Sequence, residues 1–392
     1  MDLSQLKSPK KAVSALFILN GALFGAWASR IPSLQTQFGL SEQDLGLYLL
    51  LLAGGAVISF PVAGVLSDRF GAVRVSRIAT ILYCISLPLI ALAPNLLFLS
   101  LAIFLFGMAH GGLDVAMNTW GTEVEASLDK PVMSFFHAMF SVGAGSGAAF
   151  GGMTAWMGLN TLQHFVIFAI LMVPILSFAN VPWASKTVSK RESVGFRIPK
   201  GSLLIVALIA FSSALVEGAM ADWSAVFLAS EIQASVSAAA AGYTVFSILM
   251  VMMRLNGDWI TRKLGPDSTV KLCGAFALIG SLVLILADTL FMSYLGFGFM
   301  GMGFAIIMPL VFSRAAQEGA ALEDGGGAGA SIAGVASFGY GGMLLGPPVI
   351  GFIAEYFSLR TAFSLFVAIG IAIIFSSSFF RRERTCCATA AG

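Results

Sequence analysis

The chain alternates long apolar runs with short breaks that carry charged, glycine or proline residues. Most runs have about 20 residues or more, the length of an α-helix that crosses the hydrocarbon core of a bilayer. The runs predict twelve membrane-spanning helices, numbered here as the first to the twelfth span. Their predicted bounds are residues 12–36, 45–66, 75–93, 96–122, 132–157, 162–183, 202–228, 237–258, 269–287, 290–316, 328–355 and 359–380.

The longest polar stretch lies between the sixth and seventh spans and divides them into two sets of six. It covers residues 184–201 and contains five basic residues. We therefore expect an N-terminal six-helix bundle at residues 1–183 and a C-terminal bundle at residues 202–380. A cytoplasmic linker at 184–201 and a cytoplasmic tail at 381–392 complete the predicted organisation.

Basic residues are distributed unevenly between the two ends of the predicted spans. If the N-terminus is cytoplasmic, 20 of the 22 lysines and arginines lie on that side, and only Arg30 and Arg360 lie toward the other. Short cytoplasmic loops of membrane proteins are enriched in lysine and arginine. We therefore expect both termini in the cytoplasm and the protein in a bacterial inner membrane.

Composition excludes several classes of protein. Only 11% of the residues are charged, whereas soluble domains carry about 25%. The net charge of +2 is too small and too scattered for a nucleic-acid partner. With three histidines and no catalytic, nucleotide, metal or haem motif, we expect neither enzyme activity nor a cofactor. A membrane-embedded enzyme and a substrate-sensing receptor remain as alternatives from other classes.

Glycines recur at matching places in the two sets of spans. Three glycines of the fifth span reappear in the eleventh at a constant offset of 199, namely Gly143, Gly147 and Gly152 as Gly342, Gly346 and Gly351. A Gly-Met pair recurs in the fourth and tenth spans, and a Gly-Ala pair precedes Trp27 and Trp223 in the first and seventh. This pattern predicts a duplicated six-helix unit, hence two pseudo-symmetric bundles.

Two loops carry a related motif. Gly64 to Arg74 follows the second span, and Gly257 to Gly265 follows the eighth. Both resemble the signature of the major facilitator superfamily, in which this loop is a gate on the cytoplasmic face. The resemblance implies a gate formed by the following residues: Asp68, Arg69, Arg74, Arg254 and Asp258. A polar loop without a gating role is the alternative, and Arg254 with Asp258 equally fits an ordinary i,i+4 pair at a helix end.

A second resemblance covers about 40 residues, Gly111 to Asn118 and Met133 to Ala144. These segments are similar to the fucose-permease-like branch of proton symporters, and Asp114, Asn118 and His137 match that branch's polar positions. Ser29 stands where its sugar symporters have a second acidic residue. Sugar–proton symport therefore does not follow from the resemblance.

Three ionisable residues fall inside predicted spans, where a charge is costly. Asp114 is predicted as a proton acceptor beside Asn118, or as a fixed partner of Arg30. Arg30 is either a counter-charge for an anionic substrate or one half of that salt bridge. Glu217 is a second protonation site, a substrate partner or a structural residue.

The predicted substrate cavity contains polar and aromatic residues from several spans: Asn20, Trp27, Arg30, Asn118, His137 and Trp223. Trp27 and Trp223 equally fit an aromatic belt at the outer interface. His137 relays a proton or is hydrogen-bonded to the fourth span. Asp222 is expected nearer the outer surface, in contact with water.

Together these features predict a secondary transporter of the major facilitator type that moves a small polar solute by alternating access. We expect symport of a sugar-like solute or organic acid with protons. Export of a metabolite or drug and uncoupled uniport are the alternatives. The expected partners are a small-molecule substrate, protons and the lipid bilayer, and the protein is expected to be a monomer.

Overall fold

The computed structural model describes residues 8–128, 132–178, 198–320 and 327–381. Most of the predicted linker, residues 184–197, and nearly all of the tail, residues 382–392, lie outside the described residues. Fourteen α-helices and one 3-10 turn, Ser377–Phe380, make up the described parts. The helices are α1 (Pro9–Ala28), α2 (Ile31–Phe38), α3 (Glu42–Phe70), α4 (Ala72–Ala91), α5 (Leu96–Leu128), α6 (Met133–Trp156), α7 (Thr161–Phe178), α8 (Ser202–Glu231), α9 (Val236–Leu264), α10 (Pro266–Ile285), α11 (Leu290–Phe304), α12 (Ile307–Ala320), α13 (Gly327–Tyr356) and α14 (Leu359–Ser376).

These helices confirm the predicted all-α, twelve-span membrane fold. Ten helical segments of the described residues are long and apolar enough to cross a bilayer, with α11 and α12 together forming one of them. The helices α6 and α7 provide the fifth and sixth spans. Each predicted span thus has a helix, and the twelve form two six-helix bundles related by pseudo-symmetry.

Two spans are interrupted, where the sequence predicts continuous helices. The first span breaks at Ser29 and Arg30, between α1 and α2, and Pro32 occupies the first turn of the new helix. Proline favours this position because its missing N–H needs no partner there. The tenth span breaks at Ala305 and Ile306, between α11 and α12. Such breaks leave backbone carbonyls without helical partners.

The two signature loops have the same backbone conformation. Gly71 joins α3 to α4 with φ 86°, and Gly265 joins α9 to α10 with φ 87°. These angles lie in a region that side chains with a Cβ rarely adopt, so both turns require glycine. The shared conformation supports the internal repeat that the sequence predicts.

The repeated glycines make equivalent helix contacts in the two bundles. A Cβ on Gly143 of α6 would overlap the carbonyl oxygen of Ile18 in α1. A Cβ on Gly342 of α13 would overlap the carbonyl oxygen of Phe211 in α8 in the same way. Glycine thus permits α6 to pack closely on α1, and α13 on α8.

The two ends of the bundle differ in charge. We call the end that carries Arg69, Arg74, Arg262 and Lys263 the basic face, and the other end the opposite face. The two bundles meet along two helix pairs, α6 with α9 and α3 with α13.

Contacts between the bundles extend from the opposite face to the middle of the helices. At the opposite face, the backbone N–H of Gln43 donates to Oε2 of Glu355 over 3.2 Å. Deeper in, the rings of Phe60 and Tyr340 lie 5.0 Å apart.

Candidate functional site

An ion pair lies near the middle of the C-terminal bundle. Nη2 of Arg254 in α9 is 2.9 Å from Oε2 of Glu217 in α8, and both side chains are largely buried. Glu217 is placed halfway along its helix. A charge pair at this depth is favourable only with close geometry and further hydrogen bonds. The pair therefore needs the additional partners that Arg254 finds.

Arg254 contacts two further helices. Its Nη1 donates to Oγ of Ser141 in α6 over 2.8 Å, and its Nε donates to the carbonyl oxygen of Ala305 over 3.0 Å. The Ala305 carbonyl is available because the tenth span breaks there. Ser141 belongs to the N-terminal bundle, so Arg254 links the two bundles.

One carboxylate oxygen of Glu217 has no partner. Oε1 is buried and makes no hydrogen bond within the described residues, while Oε2 is held by Arg254. A buried carboxylate oxygen without a hydrogen-bond partner is costly. The geometry leaves this oxygen able to accept a hydrogen bond from a bound solute or to take a proton.

A second acidic position lies in the N-terminal bundle. Nδ2 of Asn118 donates to the carbonyl oxygen of Asp114 over 2.8 Å and to its Oδ1 over 3.1 Å. Both side chains are half-buried on one face of α5. The predicted pairing of these two residues one helical turn apart is thus present. Asp114 forms no ion pair with a described residue, so the predicted salt bridge to Arg30 is absent.

Asn20 lies in the same bundle but inside the packed core. Its Oδ1 is 2.9 Å from Nδ1 of His110, and its Nδ2 lies 3.7 Å from Sδ of Met117. The His110 ring stacks on Phe24 with centroids 5.2 Å apart. Asn20 and His110 are both buried, so they connect α1 to α5 beneath the predicted cavity.

Arg30 lies in a different cluster from the one predicted. Its Nε donates to Nδ1 of His164 over 3.1 Å, and its Nη2 donates to Oγ1 of Thr154 and to the carbonyl oxygen of Leu159. The side chain is 3% exposed. These contacts tie the break in the first span to α6 and α7, which corrects the prediction of a cavity position. Arg254, rather than Arg30, is the arginine beside a mid-membrane carboxylate.

The two repeated tryptophans are also core residues. Trp27 is 1% exposed and packs on Phe106, and Trp223 is fully buried against Gly351. Neither ring faces an open cavity or the lipid, so the structure corrects both readings of the sequence. Their indole nitrogens have no hydrogen-bond partner within the described residues.

His137 occupies the first turns of α6 and is exposed. Its ring meets Phe17 of α1 edge to face, with centroids 5.3 Å apart. It makes no hydrogen bond to a described residue of α5, contrary to one of the two sequence alternatives. Its carbonyl oxygen accepts a long hydrogen bond of 3.4 Å from Ser141.

The gate residues separate into two groups. Asp68, Arg69, Arg74 and Asp258 are exposed at the basic face, and neither aspartate forms an ion pair with a described residue. Arg254 lies deeper and pairs with Glu217, so the predicted i,i+4 pair with Asp258 is replaced by the contact between α8 and α9.

Sequence reasoning missed Ser141 and His164 as partners of the two buried arginines. Ser141 stands in the aromatic-Ser-x-Gly-Ala stretch of α6, which is itself part of the family resemblance. That stretch drew attention to the segment that contains Ser141, but it did not indicate Arg254 as the partner of this serine. Within the described residues, no cluster of three acidic, histidine or cysteine residues could hold a metal ion.

Comparison with known proteins agrees with this architecture. The profile of the Major Facilitator Superfamily matches residues 13–323. An uncharacterized transporter of Sinorhizobium fredii is 43% identical over 92% of this chain and 94% of its own. An uncharacterized transporter of this type from Yersinia pestis is 35% identical, covering 88% of this chain and 89% of its own. Membrane protein MosC of Rhizobium meliloti is 29% identical, covering 95% and 90%.

Two solved structures share the fold at low sequence identity. The nucleoside transporter NupG superposes with a TM-score of 0.71 at 14% identity, covering 96% of this chain and 100% of that one. A bacterial homolog of the human lysosomal transporter Spinster gives 0.69 at 17% identity, covering 94% of both chains. With the family profile and relatives above 30% identity over most of the chain, this protein belongs to the major facilitator superfamily and is a multi-pass membrane transporter.

Proposed function

We propose that this transporter moves a small polar solute, sugar-like or an organic acid, by alternating access in symport with protons. The observation that carries the proposal is the cluster of Glu217, Arg254 and Ser141. Glu217 lies halfway along its helix, the cluster joins the two bundles, and it contains a buried carboxylate oxygen without a partner among the described residues. Secondary transporters bind substrate and coupling ions at such a position between their repeats.

Coupling follows from the competition for Arg254. When Glu217 takes up a proton, its charge no longer holds the guanidinium group. The planar fork of Arg254 then becomes available to a carboxylate or to paired hydroxyl groups of a solute. A bound proton and a bound solute thus favour the same state of the site. Because each binds that state more tightly than the other state, their movements are coupled. Asp114, beside Asn118, is the second proposed proton site.

The conformation supports an opening toward the cytoplasm. The positive-inside rule assigns the basic face, with both termini, to the cytoplasm of a bacterial cell. The contacts of the bundles at the opposite face, such as Gln43 with Glu355, then close the outer side. The exposed Asp68, Arg69, Arg74 and Asp258 fit a cytoplasmic gate in its open state. The similar Spinster homolog was also solved in an inward-facing conformation.

Export of a metabolite or drug and uncoupled uniport are the competing functions. Export would use the same cluster, since coupling by itself does not fix the direction of net transport. Uniport would keep the arginine site and leave solute movement independent of protons. In each case we propose a monomer as the transporting unit.

Proteoliposomes loaded with a pH-sensitive dye test the proposal. Sugars, sugar acids, amino acids and cationic drugs are first ranked by how much they raise the thermal stability of the purified protein at acidic and neutral pH. We expect a stabilising solute to carry protons into the lumen with it. Protons that move opposite to the solute would indicate export, and solute movement without protons would indicate uniport.

Two variants connect this assay to the site. Glu217→Gln and Asp114→Asn should each retain solute exchange at equal pH and lose proton-driven accumulation. Asp288→Asn is the control, because Asp288 is an exposed carboxylate at the opposite face. If both neutral variants accumulate solute like the wild type, the two proposed proton sites are wrong.

A further inference from the structure

Asp222 is a buried carboxyl group that the proposed site does not use. It lies in α8, five residues after Glu217, and is 6% exposed, so it is not in contact with bulk water as the sequence suggested. Its Oδ1 makes no hydrogen bond, and the residue forms no ion pair with any described residue. This isolation separates it from Glu217, whose charge is balanced by Arg254.

The surface of α8 around Asp222 packs against α13. Phe211, Leu215, Gly218 and Asp222 follow each other at helical spacing and therefore share one face. Phe211 and Leu215 of this face lie against the glycine stripe of α13. Residues 331–354 of α13 contain no charged side chain. The neighbouring helix thus offers Asp222 no counter-charge.

The other helices that pack on α8 offer no free cation near Asp222 either. The arginines of α9, α12 and α14 have acidic partners, in the pairs Arg254 with Glu217, Arg314 with Glu318, and Arg360 with Glu231. The other basic residues on helices packed against α8 are Lys10, Lys11, Arg262 and Lys263, at the basic face. Arg30, at the start of α2, donates its hydrogen bonds to His164, Thr154 and the carbonyl of Leu159 in the N-terminal bundle. On α9, the phenol of Tyr243 lies within electrostatic reach of both Asp222 and Glu217. The acidic residue of α13, Glu355, is at the opposite face and accepts from Gln43.

An ionised carboxylate in this position would have little contact with water and no counter-charge among the described residues, which is unfavourable. The neutral acid avoids most of that cost. A metal ion would need several oxygen ligands, and no cluster of acidic residues surrounds Asp222 in the described residues. The proton is therefore the ligand that fits the site.

Asp222 also adjoins the contact that closes the opposite face. The next residue, Trp223, lies against Gly351 of α13, and Gly351 lies against Gly46 of α3 in the other bundle. Separation of α3 from α13 would remove the cover from this region and admit water. An acid that is neutral when covered would then be free to ionise.

We propose that Asp222 binds a proton while the opposite face is closed and exchanges it with water when that face opens. It would thus be a proton site distinct from Asp114 and Glu217, and it would make low pH stabilise the conformation described here. The inference rests on the alternating access of the proposed function, and it does not depend on the substrate or on the roles of Glu217 and Asp114.

Infrared spectroscopy tests the bound proton directly. The Asp114→Asn protein is prepared with isotope-labelled aspartate, which leaves Asp222 as the buried aspartate among the described residues. We expect the carbonyl stretch of a protonated, labelled aspartic acid at neutral pH. The absence of this band would overturn the proposal. Because this variant leaves Asp222 unchanged, the test does not require a change at the proposed site.

Double electron–electron resonance, which measures the distance between two spin labels, tests whether protonation of Asp222 favours the closed opposite face. Spin labels are placed at Gln37→Cys and Phe357→Cys, two exposed positions at the opposite face of the two bundles, after replacement of the native cysteines. Without any solute, the ratio of closed to open opposite faces should rise as pH falls, by at most about tenfold per pH unit for one proton. Asp222→Asn should remain closed at all pH values, and Asp222→Glu should keep the pH dependence.

Two controls separate this result from other effects. Asp288→Asn removes an exposed carboxylate at the same face and should behave like the wild type. Replacing sodium with choline should leave the ratio of closed to open opposite faces unchanged. If closure depended on sodium, the bound ion would be sodium and the proposed proton site would be wrong. An unchanged pH response in Asp222→Asn would also overturn the proposal. These outcomes are independent of proton-driven solute accumulation, so the two proposals can fail separately.

Discussion

Arg254 donates a hydrogen bond of 2.8 Å to Ser141 and thereby joins the two bundles. The repeat gives this contact a counterpart. Phe60 corresponds to Arg254 within the internal repeat, because the two residues are 194 positions apart, as are Gly71 and Gly265 of the signature loops. Tyr340 corresponds to Ser141, because the two residues are 199 positions apart, as are the repeated glycines. The rings of Phe60 and Tyr340 lie 5.0 Å apart. At equivalent positions of the repeat, the contact between α6 and α9 is thus ionic and the contact between α3 and α13 is aromatic. Only the ionic contact can respond directly to a proton or a charged solute.

Removal of the hydroxyl group in Ser141→Ala should weaken the contact between α6 and α9. A hydrogen bond to a charged donor contributes about 1.5 to 3 kcal/mol at most, and a loss of about 1 kcal/mol changes a population ratio about fivefold. We expect the described conformation, in which the opposite face is closed, to lose at least about 1 kcal/mol of stability relative to the conformation in which that face is open. The labels at Gln37→Cys and Phe357→Cys report the ratio. Ser146→Ala is the matched control, since Ser146 is exposed on the same helix and its hydroxyl donates to the carbonyl of Gly143 within that helix.

Glu217 and Arg254 should show strong coupling in a double-mutant cycle. Each single change, Glu217→Gln or Arg254→Gln, leaves the remaining partner largely buried and should cost about 1 to 3 kcal/mol. The double variant removes both charges and should lose less than the sum of the single losses, with a coupling free energy of about 0.5 to 3 kcal/mol. Thermal unfolding in detergent at neutral pH measures all four proteins. Additive losses would mean that the two side chains do not depend on each other.

The fold was predictable because it depends on properties of single segments. Ten helical segments of the described residues are long and apolar enough to cross a bilayer, and Gly71 and Gly265 occupy turns that need glycine. Both breaks are followed by a proline, Pro32 after Arg30 and Pro309 after Ile306, and Pro309 has no N–H with which to bond the carbonyl of Ala305 four positions earlier. A proline inside an apolar run either bends a helix or interrupts it, so the two breaks did not follow from the sequence alone.

The partners of the charged residues were not predictable in the same way. Sequence spacing reveals only neighbours on one helix, as for Asp114 with Asn118, which the structure pairs. By the same rule a pair of Arg254 with Asp258 was one of two interpretations, yet the partner of Arg254 is Glu217, 37 positions away on another helix. Such pairs depend on how helices are rotated and placed against each other, which a single sequence does not specify.

Arg30→Lys should lower stability without changing solute binding. Lysine lacks the planar fork with which Arg30 reaches His164, Thr154 and the carbonyl of Leu159, so the break in the first span loses part of its support. We expect a lower melting temperature and an unchanged stabilisation by the solute identified in the screen. Arg254→Lys provides the contrast, because loss of its fork should abolish that stabilisation. A weakened solute response in Arg30→Lys would return Arg30 to the substrate site.

A single methyl group at Gly342 should disturb the packing of the C-terminal bundle. In Gly342→Ala the new Cβ meets the backbone carbonyl of Phe211, which no side-chain rotation can move away, so α13 must shift from α8. Overpacking of this kind costs about 1 to 3 kcal/mol. We expect a lower yield of monodisperse protein and a lower melting temperature, and the equivalent Gly143→Ala should behave alike because Gly143 meets the carbonyl of Ile18. Gly54→Ala is the control, since nothing lies within 4 Å of a Cβ at that position. Equal behaviour of Gly342→Ala and Gly54→Ala would show that the close contact between α8 and α13 contributes little to stability.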